Sequence, residues 1–131
     1  MTVTGYSSLC FTGLVADKPR AIDVATCNAE LNGCEGKTKR YHYRKYAKDR
    51  RYLNRRDDME IPTEERALVE YMLYPDEMDE GALIWALQTY IELKHKDLNL
   101  LYKVADYFHL PRETVDYWIK EAEEEDDMSM G

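Results

Sequence analysis

At 131 residues the chain is long enough for one domain with a real core, and 44% apolar content excludes a disordered protein. No apolar run approaches the roughly 20 residues of a membrane span, and no basic region precedes the apolar patch near Cys10; these features lead us to expect a cytoplasmic protein without a secretory leader. The net charge of −8 conceals a polarised chain: residues 37–56 carry ten Lys or Arg against one Asp, whereas residues 57–131 carry six against 21 acids.

In chain order, residues 1–26 hold two short apolar runs, "SLCFTGLVA" and "AIDVA", separated by "DKPR". These read as a β-hairpin or small sheet. "CNAELNGCEGK" reads as a short helix ended by Gly33 or Gly36. The basic stretch "KTKRYHYRKYAKDRRYLNRR" has tyrosines at 41, 43, 46 and 52, and its periodicity leaves an irregular helix or a loop open.

From residue 62 the pattern is helical. "PTEERALVEYMLY" opens on Pro62 and Thr63, places two acids in the first turn, and puts Leu68, Tyr71 and Met72 on one face. "GALIWALQTYIELKH" repeats the pattern through Leu83, Leu87, Tyr90, Ile91 and Lys94. "DLNLLYKVADYF" has Asp97 as N-cap and Leu101, Val104, Ala105 and Phe108 on its face. "RETVDYWIKEAEE" turns Val115, Trp118, Ile119 and Ala122 inward, and "EEDDMSMG" reads as a frayed acidic tail. The expected fold is α+β and predominantly helical, in a single domain. Its parts are a β-containing N-terminal portion (1–36), the basic Tyr-rich segment (37–56), a helical portion (60–123) and the tail (124–131).

The last two helices match a helix-turn-helix, with His109 at the turn position that usually takes Gly. As a DNA reader the second helix has the wrong sign: Glu113, Asp116 and Glu121 outweigh Arg112 and Lys120, which favours packing or protein contact. The better nucleic-acid candidate is the basic segment, where cations interleaved with tyrosines combine phosphate neutralisation with base stacking. Its candidate binding residues are Lys37, Lys39, Arg40, Arg44, Lys45, Lys48, Arg50, Arg51, Arg55 and Arg56, with Tyr43 and Tyr46. The same strip suits an acidic protein surface, or the chain's own acidic half.

Cys10, Cys27, Cys34 and His42 lack the tight spacing of a structural zinc site, so reduced thiols are expected. His95 and His109 read as structural, and Trp85 and Trp118 as core anchors. No Gly-rich phosphate loop, nucleophile elbow or Cys-His pair stands out, and no catalytic residue or cofactor is assigned.

The stretch "EERALVEYMLYPDEM" resembles the later-helix signature of the ImmA/IrrE-type metallopeptidases of phages and mobile elements. In that family a ligand acid opens the helix, bulky and small apolar residues follow, and a Leu-Leu-Met-Pro-like ending closes it. Glu64 falls at the ligand position, Leu68 and Val69 at the apolar pair, and "MLYP" at the ending. "VADYFHLPRETV" matches the family's downstream module, so the resemblance covers about residues 60–120. The family's His-Glu-x-x-His helix is missing. Its nearest counterpart, "AELNG" at 29–33, keeps Glu30 but has Ala29 and Gly33 at the two His positions. With Glu64 as the one remaining candidate ligand, a catalytic zinc site is not expected.

The resemblance implies a non-catalytic regulatory protein of a phage or mobile element, built on a degenerate peptidase scaffold. It would act by binding another protein, such as a repressor or a host-defence component. The alternatives are nucleic-acid binding through 37–56, an acidic mimic of nucleic acid using Glu121, Glu123, Glu124 and Glu125, and a zinc peptidase with an unusual ligand set.

Overall fold

A computed structural model describes the backbone of residues 1–130 and the side chains of residues 1–125. Helix α1 (Gly5–Phe11) is followed by strands β1 (Ile22–Thr26), β2 (Lys39–Tyr43), β3 (Leu53–Arg56) and β4 (Met59–Pro62). Helices α2 (Glu64–Leu73), α3 (Glu80–Glu92), α4 (Leu98–Tyr107) and α5 (Arg112–Met130) complete the chain. The architecture is the expected α+β arrangement, with strands near the N-terminus and helices after them.

β1 and β2 pair in parallel, Ile22 opposite Lys39, and β3 and β4 pair antiparallel, Leu53 opposite Pro62. A parallel pair needs a crossover, here residues 27–38, which include a 3₁₀ turn at Ala29–Leu31. A short extended piece at Thr2–Val3 joins the two pairs. Val3 N–H donates to Glu60 O (2.9 Å) and Glu60 N–H to Met1 O (2.7 Å) on one side. Thr4 N–H donates to Asp23 O (3.0 Å) and Ala25 N–H to Thr2 O (2.9 Å) on the other. The result is one ribbon in the order β3, β4, Thr2–Val3, β1, β2.

Three local expectations are corrected. The run "SLCFTGLVA", read as a strand, supplies most of α1 and then Leu14 and Val15, both 1% exposed. Ser8 donates to Gly5 O (2.6 Å) and Thr12 to Ser8 O (2.8 Å), so hydroxyls satisfy carbonyls along the helix. Gly5 opens the helix at φ +58°, a backbone angle that favours glycine, although a Cβ there would make only ordinary contact with Asp23 Cβ at 3.6 Å. The short helix expected at 27–37 is only the three-residue turn. The basic segment is neither helix nor loop throughout, because its ends form β2 and β3.

Helix α2 is the centre of the fold. Every residue from Glu65 to Met72 is buried, charged ones included. Thr63 caps it, its hydroxyl accepting from Arg66 N–H (3.3 Å). Buried charge is tolerated only where it is paired. The Tyr90 hydroxyl donates to Glu65 (2.7 Å), and Thr4 donates to Glu70. Arg66, 1% exposed, donates to three backbone carbonyls: Asp49 (2.7 Å), Arg51 (2.6 Å) and Tyr46 (3.1 Å). Its guanidinium also lies 4.9 Å from the Phe108 ring centre. Leu68, Leu83, Leu87, Tyr90, Leu101, Val104, Ala105 and Val115 close the core around α2.

Asp97 caps α4 as expected, accepting from Leu100 N–H (3.0 Å). His109 takes φ +61°, Leu110 N–H donates to Ala105 O (2.8 Å), and His109 N–H to Asp106 O (3.1 Å). This is a Schellman ending with Leu110 as its buried apolar contact, 6% exposed. The tail expected to fray from residue 124 begins as part of α5; the side chains beyond Glu125 and all of Gly131 lie outside the described residues. Trp85 corrects another expectation: it lies on the outer face of α3, 43% exposed, whereas Trp118 packs against the core.

Replacing Arg66 with Ala strands three carbonyls and Glu70 in the interior. Urea unfolding should show a loss of about 3–5 kcal/mol. His109→Gly removes a left-handed side chain and should raise stability by about 1 kcal/mol in the same measurement.

Candidate functional site

The stretch "RYHYR" alternates charged or polar residues with tyrosine, which is the period of a strand. Pairing in β2 therefore turns Arg40 and His42 to one face, beside Asp23 of β1. Arg44, two residues on, joins that face, and Glu77 approaches it from the 3₁₀ turn Pro75–Glu77 after α2. Pro75 breaks α2 and the chain doubles back there, which brings Glu77 over the strands.

Together these residues line a cleft of about 210 Å³ with Gly5, Tyr6, Tyr71 and Tyr74. His42 is clasped between two carboxylates: its Nε2 lies 2.7 Å from Asp23 Oδ1 and its Nδ1 2.7 Å from Glu77 Oε1. Glu77 also receives a two-pronged contact from Arg44, at 3.0 and 3.2 Å. Arg44, 3% exposed, donates through Nε to the Thr4 hydroxyl (2.9 Å) and lies 4.0 Å from the Tyr74 ring centre. Thr4 passes the chain of contacts to Glu70 and so to Arg66. Buried Ser7 holds Asp23 from behind the cleft, its N–H (3.1 Å) and hydroxyl (2.9 Å) both donating to the carboxylate.

Burial works against ionisation of Asp23, but the donors on His42 and Ser7 outweigh it and hold the carboxyl below its ordinary value. At the cleft's rim the hydrogen bond from Tyr6 and the Lys18 N–H hold Asp17 low, and the same Tyr6–Asp17 bond, with burial, raises Tyr6. Burial and the charge of Asp17 push the Cys10 thiol up, which keeps it protonated and a poor nucleophile.

The geometry joins parts of the fold and leaves little chemical freedom. A general base needs a ring nitrogen or carboxylate oxygen free to meet a substrate. Both nitrogens of His42 are already engaged, as are both oxygens of Glu77. Hence His42, considered with the cysteines as a metal ligand, is instead a carboxylate-bound bridge between β1, β2 and the turn after α2. Among the described residues no group of three or more His, Cys, Asp or Glu side chains is placed to hold a metal. Cys27 and Cys34 are exposed and unpaired with each other. Glu64, at the position the peptidase resemblance marks as a ligand, faces His95 at 3.6 Å. The "AELNG" stretch is an exposed 3₁₀ turn and not the helix that resemblance expects.

The basic segment divides into an inner and an outer set. Arg44 and Tyr46 leave the proposed binding surface: Arg44 belongs to the cleft, and Tyr46 packs edge-on against Phe108 at 5.1 Å. Arg40 pairs with Glu35 (2.6 Å) and Arg50 with Glu60. Arg51 covers the Tyr107 ring at 4.7 Å, and Lys45 lies 5.6 Å from that of Tyr46. Lys37, Lys45, Lys48, Arg51, Arg55 and Arg56 are exposed, and among the described residues none of them has an ion-pair partner. Lys39 is half-buried in β2, and Tyr43 is 38% exposed.

The acidic half neutralises this segment only in part. Among the described residues, the ion-pair partners of its Lys and Arg are Glu35, Glu60 and Glu77, the last two from residues 57–131, and none lies on α4 or α5. The charged groups of α5 pair locally, Arg112 with Asp106 (2.7 Å) and Lys120 with Glu124 (3.9 Å). The sequence pointed to the right segment for exposed cation but missed the cleft, whose one available signal was the alternation in "RYHYR".

Because the folded-state pKa of Asp23 lies below its ordinary value of 3.8, the native protein binds fewer protons there than the unfolded chain. The stability it contributes is complete above that value and is lost as pH falls through the lower one. Unfolding measured from about pH 5 to pH 2 should give wild type a steeper acid decline than Asp23→Asn.

No family model matches the chain, and no curated protein matches it.

Proposed function

We propose that this protein is a non-catalytic regulatory protein that acts by binding another protein through its basic surface. One observation carries the reading: the negative part of the chain takes up only Arg44 and Arg50 of the positive segment, so exposed Lys37, Lys45, Lys48, Arg51, Arg55 and Arg56 remain without an ion-pair partner among the described residues. The cleft supports the non-catalytic part of the reading, since its His, Asp, Glu and Arg are committed to each other. The likeness of residues 60–120 to repressor-cleaving peptidases supplies the partner class, a repressor or host-defence component. A phage or mobile-element setting is proposed on that likeness alone.

Nucleic acid is the second reading, favoured by Arg51 lying on the Tyr107 ring and by exposed Tyr43 near Lys45. The helix-turn-helix surface argues against reading DNA through α5. Its exposed residues include Glu113, Asp116, Glu123 and Glu124, which repel phosphate.

A pull-down from nuclease-treated lysate with wild type and with Arg51→Glu, Arg55→Glu, Arg56→Glu tests the proposal. The expected result is a protein partner that survives nuclease and falls at least tenfold in recovery with the variant. Recovery of nucleic acid without any protein partner would overturn it.

A further inference from the structure

β3 is the last strand of the ribbon, and its outer edge is open. Arg56 and Met59 flank the Asp57–Asp58 turn, and Thr63 N–H donates to Tyr52 O (2.9 Å). The alternation of an antiparallel ladder then turns the N–H and C=O of Leu53 and Arg55 away from β4. Among the described residues no other backbone group bonds to them.

The edge is bordered on both sides. A hollow of about 320 Å³ is lined by Arg50, Leu53, Asn54, Arg55 and Glu60, whose carboxylate is paired with Arg50. Another of about 370 Å³ is lined by residues that include Phe11, Arg55, Arg56, Ile61 and Glu64, the last lying 3.6 Å from His95. A strand laid beside β3 would send alternate side chains toward one hollow and then the other. Charged residues on an edge strand ordinarily prevent strand addition. Here the charge on β3 is of one sign. A second copy of this chain would bring a second Arg55 and Arg56 to the same edge, and like charges on adjacent strands destabilise a pair. An acidic strand meets no like charge on β3 itself, where Arg55 and Arg56 have no ion-pair partner among the described residues and Glu60 is taken up by Arg50, so the strand discriminates by repelling its own kind.

Resting on the protein-binding reading above, we infer that the open edge of β3 binds an extended acidic segment of the partner protein by strand addition, with Arg55 and Arg56 selecting its charge.

The probe is a capped eight-residue peptide of alternating Glu and Val, compared with the same peptide N-methylated along its backbone. The second keeps every carboxylate but has no backbone donor. Binding to the full chain is followed by fluorescence anisotropy, with amide hydrogen exchange on the complex. The unmodified peptide should bind at least tenfold more tightly and slow exchange at the amides of Leu53 and Arg55. Arg55→Glu with Arg56→Glu should abolish its binding while leaving the circular dichroism spectrum unchanged. Equal binding of the two peptides would overturn strand addition and leave the protein-binding reading in place. Failure of both peptides to bind, with duplex DNA binding instead, would overturn both.

Discussion

The buried guanidinium of Arg66 is the interaction on which the rest depends. It arises from the central helix and takes three carbonyls from the Tyr46–Arg51 segment. A stretch dense in Lys and Arg has little reason to lie against a hydrophobic core, because its side chains prefer water and repel one another. A cation beneath it would make matters worse if it met those side chains. It meets their backbone instead, where every carbonyl presents negative partial charge. The loop is therefore held from below by its peptide groups while its own cations project outward.

From that anchor a continuous polar path runs out of the interior to the cleft: Arg66 to Glu70, Glu70 to Thr4, Thr4 to Arg44, Arg44 to Glu77, Glu77 to His42 and His42 to Asp23. It crosses α2, the N-terminal segment, β2, the turn after α2, and β1. No buried side-chain nitrogen or oxygen among the described residues lacks a partner. Such a network favours one arrangement of its elements, since any shift leaves a charged group desolvated and alone. The enzyme-like look of the cleft follows from this. A histidine between two acids beside an arginine has the ingredients of a catalytic site, but each group is already consumed by its neighbours.

Much of the helical half could be read from sequence because local signals and tertiary burial agree there. The Asp97 cap, the Leu68, Tyr71 and Met72 stripe and the His109 turn all involve residues close in sequence. The N-terminal half was harder for a physical reason. A seven-residue helix shows too few turns to establish a period, so "GYSSLCF" resembles a strand. β2 and β3 are short strands, and β2 alternates charge with tyrosine and not with the aliphatic residues that mark a buried face. The polar cleft was hidden because its partners are distant in sequence: His42 meets Asp23 and Glu77. Trp85 misled in the opposite direction, since size alone does not say which side of a helix faces the core.

The Thr2–Val3 bridge has a further consequence, for the order of assembly. The β3–β4 hairpin and the helices α4 and α5 join near neighbours in sequence, and their closure costs little chain entropy. The bridge must meet Glu60 on one side and Val24 on the other, so the ribbon becomes continuous only after distant parts of the chain have converged. Until then β1–β2 and β3–β4 are two separate pairs, each too small to persist in water without packing against a helix. The inner strand of the ribbon is thus its closing piece, and the cleft, which takes Thr4 and Gly5 from the residues just beyond it, is completed in the same event.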